Sequence, residues 1–136
     1  MAGSIPDLDR LLLVGLNQRD LTAVLRDRFF AVEPKVSFFL DKLRDRSISE
    51  AVAIATCERI DLLVIPIREA RISDQELKDR LGKMIADFAG VPVAELRLAL
   101  FSQQGQSAAK HVFSVAASLD SQVVGEPQVL GQVKEN

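Results

Sequence analysis

Positions 51–64 read AVAIATCERIDLLV. Five alternating residues, AVAIA, run into Thr-Cys-Glu-Arg, and a second apolar run, IDLLVIPI, begins at once. Period-two alternation on both sides of so short a connection predicts an antiparallel hairpin, with the second strand closed by Pro66. Nothing else in the chain limits the fold as much, because a hairpin in mid-chain commits the sheet to antiparallel pairing around it. The turn also holds the chain's only cysteine.

Other elements follow from spacing. LLLVGLN at 11–17 predicts a buried strand stopped by Gly15 and Asn17, and Leu21, Val24, Leu25, Arg28 and Phe29 then recur at helical spacing. A second helix is predicted from Pro34, with Val36, Phe39, Leu40 and Leu43 on one face. SDQE at 73–76 is a capping-box signal, with Ser73 as N-cap. Leu77, Leu81, Met84, Ile85 and Phe88 share a face behind it, and Gly90 and Pro92 end that helix. ELRLALF at 95–101 alternates and is predicted as a strand. SAAKHVFSVAASL at 107–119 is predicted as a helix burying Ala108, Val112, Val115 and Leu119. Pro127 is predicted to open a last helix.

The order β-α-α-β-β-α-β-α mixes a hairpin with crossovers. It predicts an α+β fold, an antiparallel-rich sheet with helices packed on it, and a ferredoxin-like core. The 136 residues suit one core, with 48% apolar and 26% charged residues. No apolar run reaches the roughly 18 residues that span a bilayer, so no membrane role is expected. Net charge is −2, with 17 basic residues dispersed among 19 acidic ones, which argues against sequence-independent nucleic-acid binding. One cysteine excludes an internal disulfide and fits a reducing, cytoplasmic setting. One cysteine and one histidine are too few for an ordinary zinc site unless carboxylates complete it, so no metal is expected.

Three side chains invite chemistry. Cys57 follows a strand rather than sitting inside one. A small buried hydrophobe is the ordinary place for a lone cysteine. A nucleophile needs partial exposure and cationic support, and Arg59 lies two residues on. Arg59 is either a turn residue paired with Glu58 or Asp61, or a fork for a substrate carboxylate. His111, the only histidine, falls on the flank of its helix's apolar face. It is a hydrogen-bonded structural residue or a proton carrier at neutral pH. Asp120, Ser121, Glu126, Gln128 and Gln132 cluster among small residues near Pro127, as a plain turn or as a polar ligand site.

GLN after the first strand, TCER between strands, then H, VA, LDS and VGEPQVLGQVK occur in that order. In these motifs the chain resembles the N-terminal catalytic domain of the glutamyl-tRNA reductases, over nearly all of its length from about residue 11. The resemblance implies reduction of glutamyl-tRNA(Glu) to glutamate-1-semialdehyde with NADPH, in tetrapyrrole (porphyrin, haem) synthesis. It implies Cys57 as the nucleophile that forms a thioester and His111 as a second catalytic group. Thr56, Glu58, Arg59, Ser121, Glu126, Pro127, Gln128 and Gln132 are implied to contact substrate, with Arg59 holding a glutamyl carboxylate. It further implies a catalytic domain over 1–122 and, over 123–136, the start of a spinal linker helix. That helix would lead to NADPH-binding and dimerisation domains absent from this chain, the full-length protein being a homodimer. The chain is thus expected to be a piece of a longer protein, with no cofactor site of its own. It departs from the family pattern at Gln18, Glu58, Gln103 and Ser118, and carries Asp27 where a glutamate is usual. Those departures motivate an alternative, a diverged paralogue that binds a ligand or protein without catalysis. A structural domain with an inert, buried Cys57 is the third reading.

Overall fold

The structure, a computed structural model, describes residues 9–30, 36–67 and 71–122. Four strands form one sheet: β1 (Leu12–Asn17), β2 (Ile48–Ala55), β3 (Arg59–Pro66) and β4 (Phe101–Gln104). Among the described residues four helices accompany them: α1 (Ala23–Phe30), α2 (Val36–Leu43), α3 (Asp74–Ala89) and α4 (Gly105–Gln122). The sheet order is β2-β3-β1-β4, and all three neighbouring pairs are antiparallel. β2 and β3 form the expected hairpin, while β3 inserts between β1 and β2. This split β-α-β arrangement is the ferredoxin-like strand order, and the fold is α+β with helices on the sheet.

Alternation along the strands assigns the two faces. Leu12, Val14 and Leu16 of β1 and Ile60, Leu62 and Val64 of β3 point to one side and are all buried. There they meet Phe29 of α1, Phe39 and Leu43 of α2, and Leu77, Leu81 and Ile85 of α3 in one apolar cluster. Phe38, Phe39 and Phe88 pack edge-on or tilted, with ring centroids 5.2 to 5.4 Å apart. Full burial of a leucine or phenylalanine here stabilises the fold by about 1.5–3 kcal/mol. On the opposite face α4 lays Ala108 against Leu11 and Leu13, and Val115 against Ile54.

α3 starts as its capping box requires: Ser73 Oγ accepts from the Glu76 amide at 3.0 Å. It stops at Gly90, whose φ of 71° is a left-handed value open to glycine at little cost. Two expectations need correction. ELRLALF is not a strand. Val93–Leu96 forms a 3₁₀ turn, and the Ala99 and Leu100 amides both donate to the Leu96 carbonyl at 2.9 Å. The strand begins only at Phe101, and α4 follows directly from Gly105. The alternating leucines misled because only Leu96 of the three is fully buried, with Leu100 packed partly buried against the same cluster, and a single turn buries Leu96 as well as a strand would. Leu98 is fully exposed. Val24, placed by spacing with the apolar stripe of α1, is also exposed. The stripe is carried instead by half-buried Leu25 and buried Phe29, with Leu21 buried just ahead of the helix. Leu119 and the helix expected from Pro127 lie where the structure describes no side chains and no residues, respectively.

Candidate functional site

The hairpin turn is built by Thr56. Its Oγ1 accepts from the amides of Glu58 at 3.1 Å and Arg59 at 3.2 Å, and its own amide donates to the Arg59 carbonyl at 2.9 Å. A threonine at this point fixes the turn that carries the thiol. Cys57 and Glu58 are exposed at its tip. Cys57 is therefore exposed, whereas the third reading has it buried. The end of β1 braces the same turn: the Gln18 amide donates to the Glu58 carbonyl at 2.8 Å, and Asn17 lies opposite Arg59 in the ladder. The GLN and TCER motifs, about forty residues apart in the chain, thus form one structural corner.

β3 then turns Arg59 and Asp61 onto the α4 face. Asp61 is 1% exposed, the sole buried charged side chain among the described residues. Its carboxylate takes one donor on each oxygen. Arg59 Nε donates to Oδ2 at 2.8 Å, and His111 Nε2 lies 3.3 Å from Oδ1. An ionised carboxylate only accepts, so with Asp61 in that form Nε2 is the donor in this contact, and in the neutral imidazole Nδ1 is then the acceptor. The pairing makes burial of the acid tolerable. It also orients the guanidinium by Nε alone, and Asp61 is its one hydrogen-bonding partner among the described residues. The two terminal nitrogens stay available for a forked contact with a ligand carboxylate.

Space for the acid comes from Gly15, opposite Asp61 on one side and Phe101 on the other. A Cβ there would collide with Asp61 Oδ1 and would sit 2.6 Å from Phe101 Cζ. α4 delivers His111 because Ala108 and Val115 anchor the helix on either side of it, leaving the imidazole 19% exposed on the flank.

The structure therefore joins Thr56, Cys57, Glu58 and Arg59 in one turn and ties His111 to Arg59 through Asp61. Among the described residues Cys57 makes no hydrogen bond to Arg59 or His111. Ser121 lies in the last turn of α4 with its side chain undescribed, and Glu126, Pro127, Gln128 and Gln132 lie outside the described residues. Sequence reasoning offered Asp61 only as one partner for a turn arginine and missed its second partner, His111. The available signal was a lone acid inside the apolar run IDLLV, two residues from Arg59 and so on the same strand face. Among the described residues no group of three histidine, cysteine or acidic side chains could hold a metal ion, and no helix is long and apolar enough to cross a membrane.

Fold and site together define an α+β domain that presents a free thiol on a rigid hairpin, beside an arginine held by a buried acid. Comparison with known proteins narrows this class. The family profile described as "Glutamyl-tRNAGlu reductase, N-terminal domain" matches residues 14–136. The glutamyl-tRNA reductase of Syntrophus aciditrophicus is 39% identical over 126 residues, covering 92% of this chain and 29% of that protein. That of Geobacter sulfurreducens is 39% identical over 125 residues, covering 91% of this chain and 28% of the relative. The solved glutamyl-tRNA reductase from Methanopyrus kandleri shares the fold with a TM-score of 0.53 at 24% identity, over 93% of this chain and 27% of that one. The chain belongs to the glutamyl-tRNA reductase N-terminal domain family. It spans under a third of the length of these relatives.

Proposed function

We propose that this chain is the glutamyl-binding, thioester-forming domain of an NADPH-dependent glutamyl-tRNA reductase, supplying glutamate-1-semialdehyde to tetrapyrrole synthesis. The observation that carries the reading is the exposed Cys57 on a threonine-braced turn, with Arg59 aimed by Asp61 two residues beyond. Arg59 binds the glutamyl carboxylate through its terminal nitrogens. Binding there sets the ester carbon of glutamyl-tRNA against the Cys57 sulfur, which converts an encounter into a positioned reaction. The thiolate sulfur forms a bond to the carbonyl carbon, and the electron pair moves to the carbonyl oxygen. Collapse of that intermediate breaks the ester C–O bond. The tRNA leaves as a free ribose hydroxyl after its oxygen takes a proton, and His111, whose Nδ1 is unclaimed, moves protons at this step. Thr56, Glu58, Ser121, Glu126, Pro127, Gln128 and Gln132 complete the substrate contacts in this reading.

The product left on this chain is a thioester, which accepts hydride more readily than an ester does. NADPH supplies that reducing equivalent when bound. The described residues do not fit it: β1 runs into a polar 3₁₀ turn, Gln18–Asp20, rather than a glycine-rich turn opening a helix. The cofactor belongs in this reading to a part of the protein outside this chain, as does the surface that makes a homodimer. The cytoplasm is the expected compartment for a reactive free thiol.

The test is direct. Protein incubated with glutamyl-tRNA charged with labelled glutamate and then denatured is expected to carry one glutamyl adduct, on the Cys57 peptide. Cys57→Ala is expected to carry none. An adduct of equal yield in Cys57→Ala would remove the sulfur from the reaction. No adduct in the unsubstituted protein would leave the diverged, ligand-binding paralogue as the better account.

A further inference from the structure

Phe101 opens β4 beside Gly15, and its ring centroid lies 5.1 Å from that of His111 at an interplanar angle of 57°. The absent side chain at Gly15 leaves one slot that both the Asp61 carboxylate and the Phe101 ring enter: a Cβ would sit 2.6 Å from Cζ and 2.9 Å from Cε1 of the ring. The imidazole is therefore held from two directions, by a carboxylate at Nε2 and by a phenyl ring against its side. The carboxylate contact, at 3.3 Å, is at the long end for a hydrogen bond and cannot by itself stop the ring from turning about its own side-chain torsions. A packed aromatic neighbour supplies the missing restraint.

We propose that Phe101 is a positioning residue for His111, holding the imidazole on Asp61 so that Nε2 keeps the proton and Nδ1 is presented as the acceptor. The consequence for catalysis rests on the thioester reading above, whereas the placement of the ring does not. Without the phenyl ring the imidazole samples other rotamers, and the nitrogen facing the reacting group is no longer a fixed one. Phe101 touches no reacting atom in this scheme and acts only through His111.

His111 is the only histidine in the chain, so every imidazole signal in a nitrogen-15 spectrum belongs to it. In the neutral imidazole of the unsubstituted protein the tautomer protonated at Nε2 is expected to predominate. Phe101→Leu keeps apolar bulk at the sheet edge, and Phe101→Ala removes it. In both, provided amide spectra show an intact fold, the preference for that tautomer is expected to fall by about two- to ten-fold, more in the alanine variant. Single-turnover thioester formation should slow by a similar factor, with little change in the concentration of glutamyl-tRNA giving half the maximal rate. Phe113→Ala, on the exposed outer side of α4, is the control and should change neither. Imidazole spectra unchanged in a folded Phe101→Leu protein would overturn the proposal while leaving Cys57 chemistry intact. Absence of any thioester in the unsubstituted protein would overturn the functional reading, and the imidazole spectra would still decide the role of Phe101.

Discussion

The two faces of the sheet solve different problems. Toward α1, α2 and α3, the inward residues of β1 and β3 are Leu12, Val14, Leu16, Ile60, Leu62 and Val64, each at most 4% exposed. Toward α4 the same two strands present Leu13, Gly15 and Asn17, and Arg59, Asp61 and Leu63. That second face is divided. Its far end, where Leu11, Leu13 and Ala108 pack, is apolar and anchors the helix. Its near end, beside the hairpin turn, is polar and holds Asp61 between Arg59 and His111. The contrast teaches where a small domain can place a charge. The buried charge sits on the face covered by one helix, while the face covered by three holds the larger apolar cluster.

The largest expected effect comes from the three-helix face. Leu62→Ala should lower stability by about 2–5 kcal/mol, combining lost burial with a cavity in a close-packed cluster. Urea denaturation measures it, and a loss below about 1 kcal/mol would erase the distinction between the faces. Gly15→Ala attacks the other face from within β1. The new methyl must displace the Asp61 carboxylate or the Phe101 ring, because a Cβ at this position would clash with both. About 1–3 kcal/mol is expected for such overpacking, together with altered His111 signals that Leu62→Ala leaves alone.

How much of this was legible follows from what each signal reports. The hairpin, the capping box at Ser73 and the stripe of α3 are local patterns, and each was read from adjacent residues. Cys57, Arg59 and His111 stood out because each is alone or oddly placed in its segment. Asp61 did not show its full role, because strand alternation reveals only that it shares a side with Arg59. Its link to His111 spans fifty residues and depends on which face α4 covers. The same holds for Phe101, whose segment was read as the end of a strand when it is the beginning. Gly15 looked like a stop signal for β1, yet it lies inside the strand, where it clears room for the side chains of two neighbours.

Asp61→Asn sharpens the comparison with a smaller change. Volume is kept and the charge removed, so two donors lose a shared anionic acceptor. A loss of about 1.5 kcal/mol is expected. The more telling result is functional. Arg59 should lose its fixed direction, so glutamyl-tRNA is expected to bind more weakly in the variant, whereas alkylation of Cys57 by a small neutral reagent should change little. Equal loss of both would mean that Asp61 supports the whole turn rather than the arginine.

The smallest effect belongs to an acid outside both faces. Asp45 follows α2, and its carboxyl is held below the ordinary aspartate range, first by the Ser47 hydroxyl, then by the Ser47 amide and by nearby Arg80. Oδ1 accepts from the hydroxyl at 2.6 Å and from the amide at 2.8 Å, and Arg80 approaches Oδ2 at 3.2 Å. A lowered value in the folded state means that the unfolded chain takes up the proton first as pH falls. The stabilisation is therefore complete above about pH 4, near the ordinary value, and is lost as pH drops through the lowered folded value. Asp45→Asn should flatten the acid limb of stability against pH and leave the neutral-pH behaviour of Cys57 and His111 unchanged. A flattened limb accompanied by altered imidazole spectra would show that the turn behind β2 communicates with the site. The separation of the two regions would then fail at the point where it costs least to test.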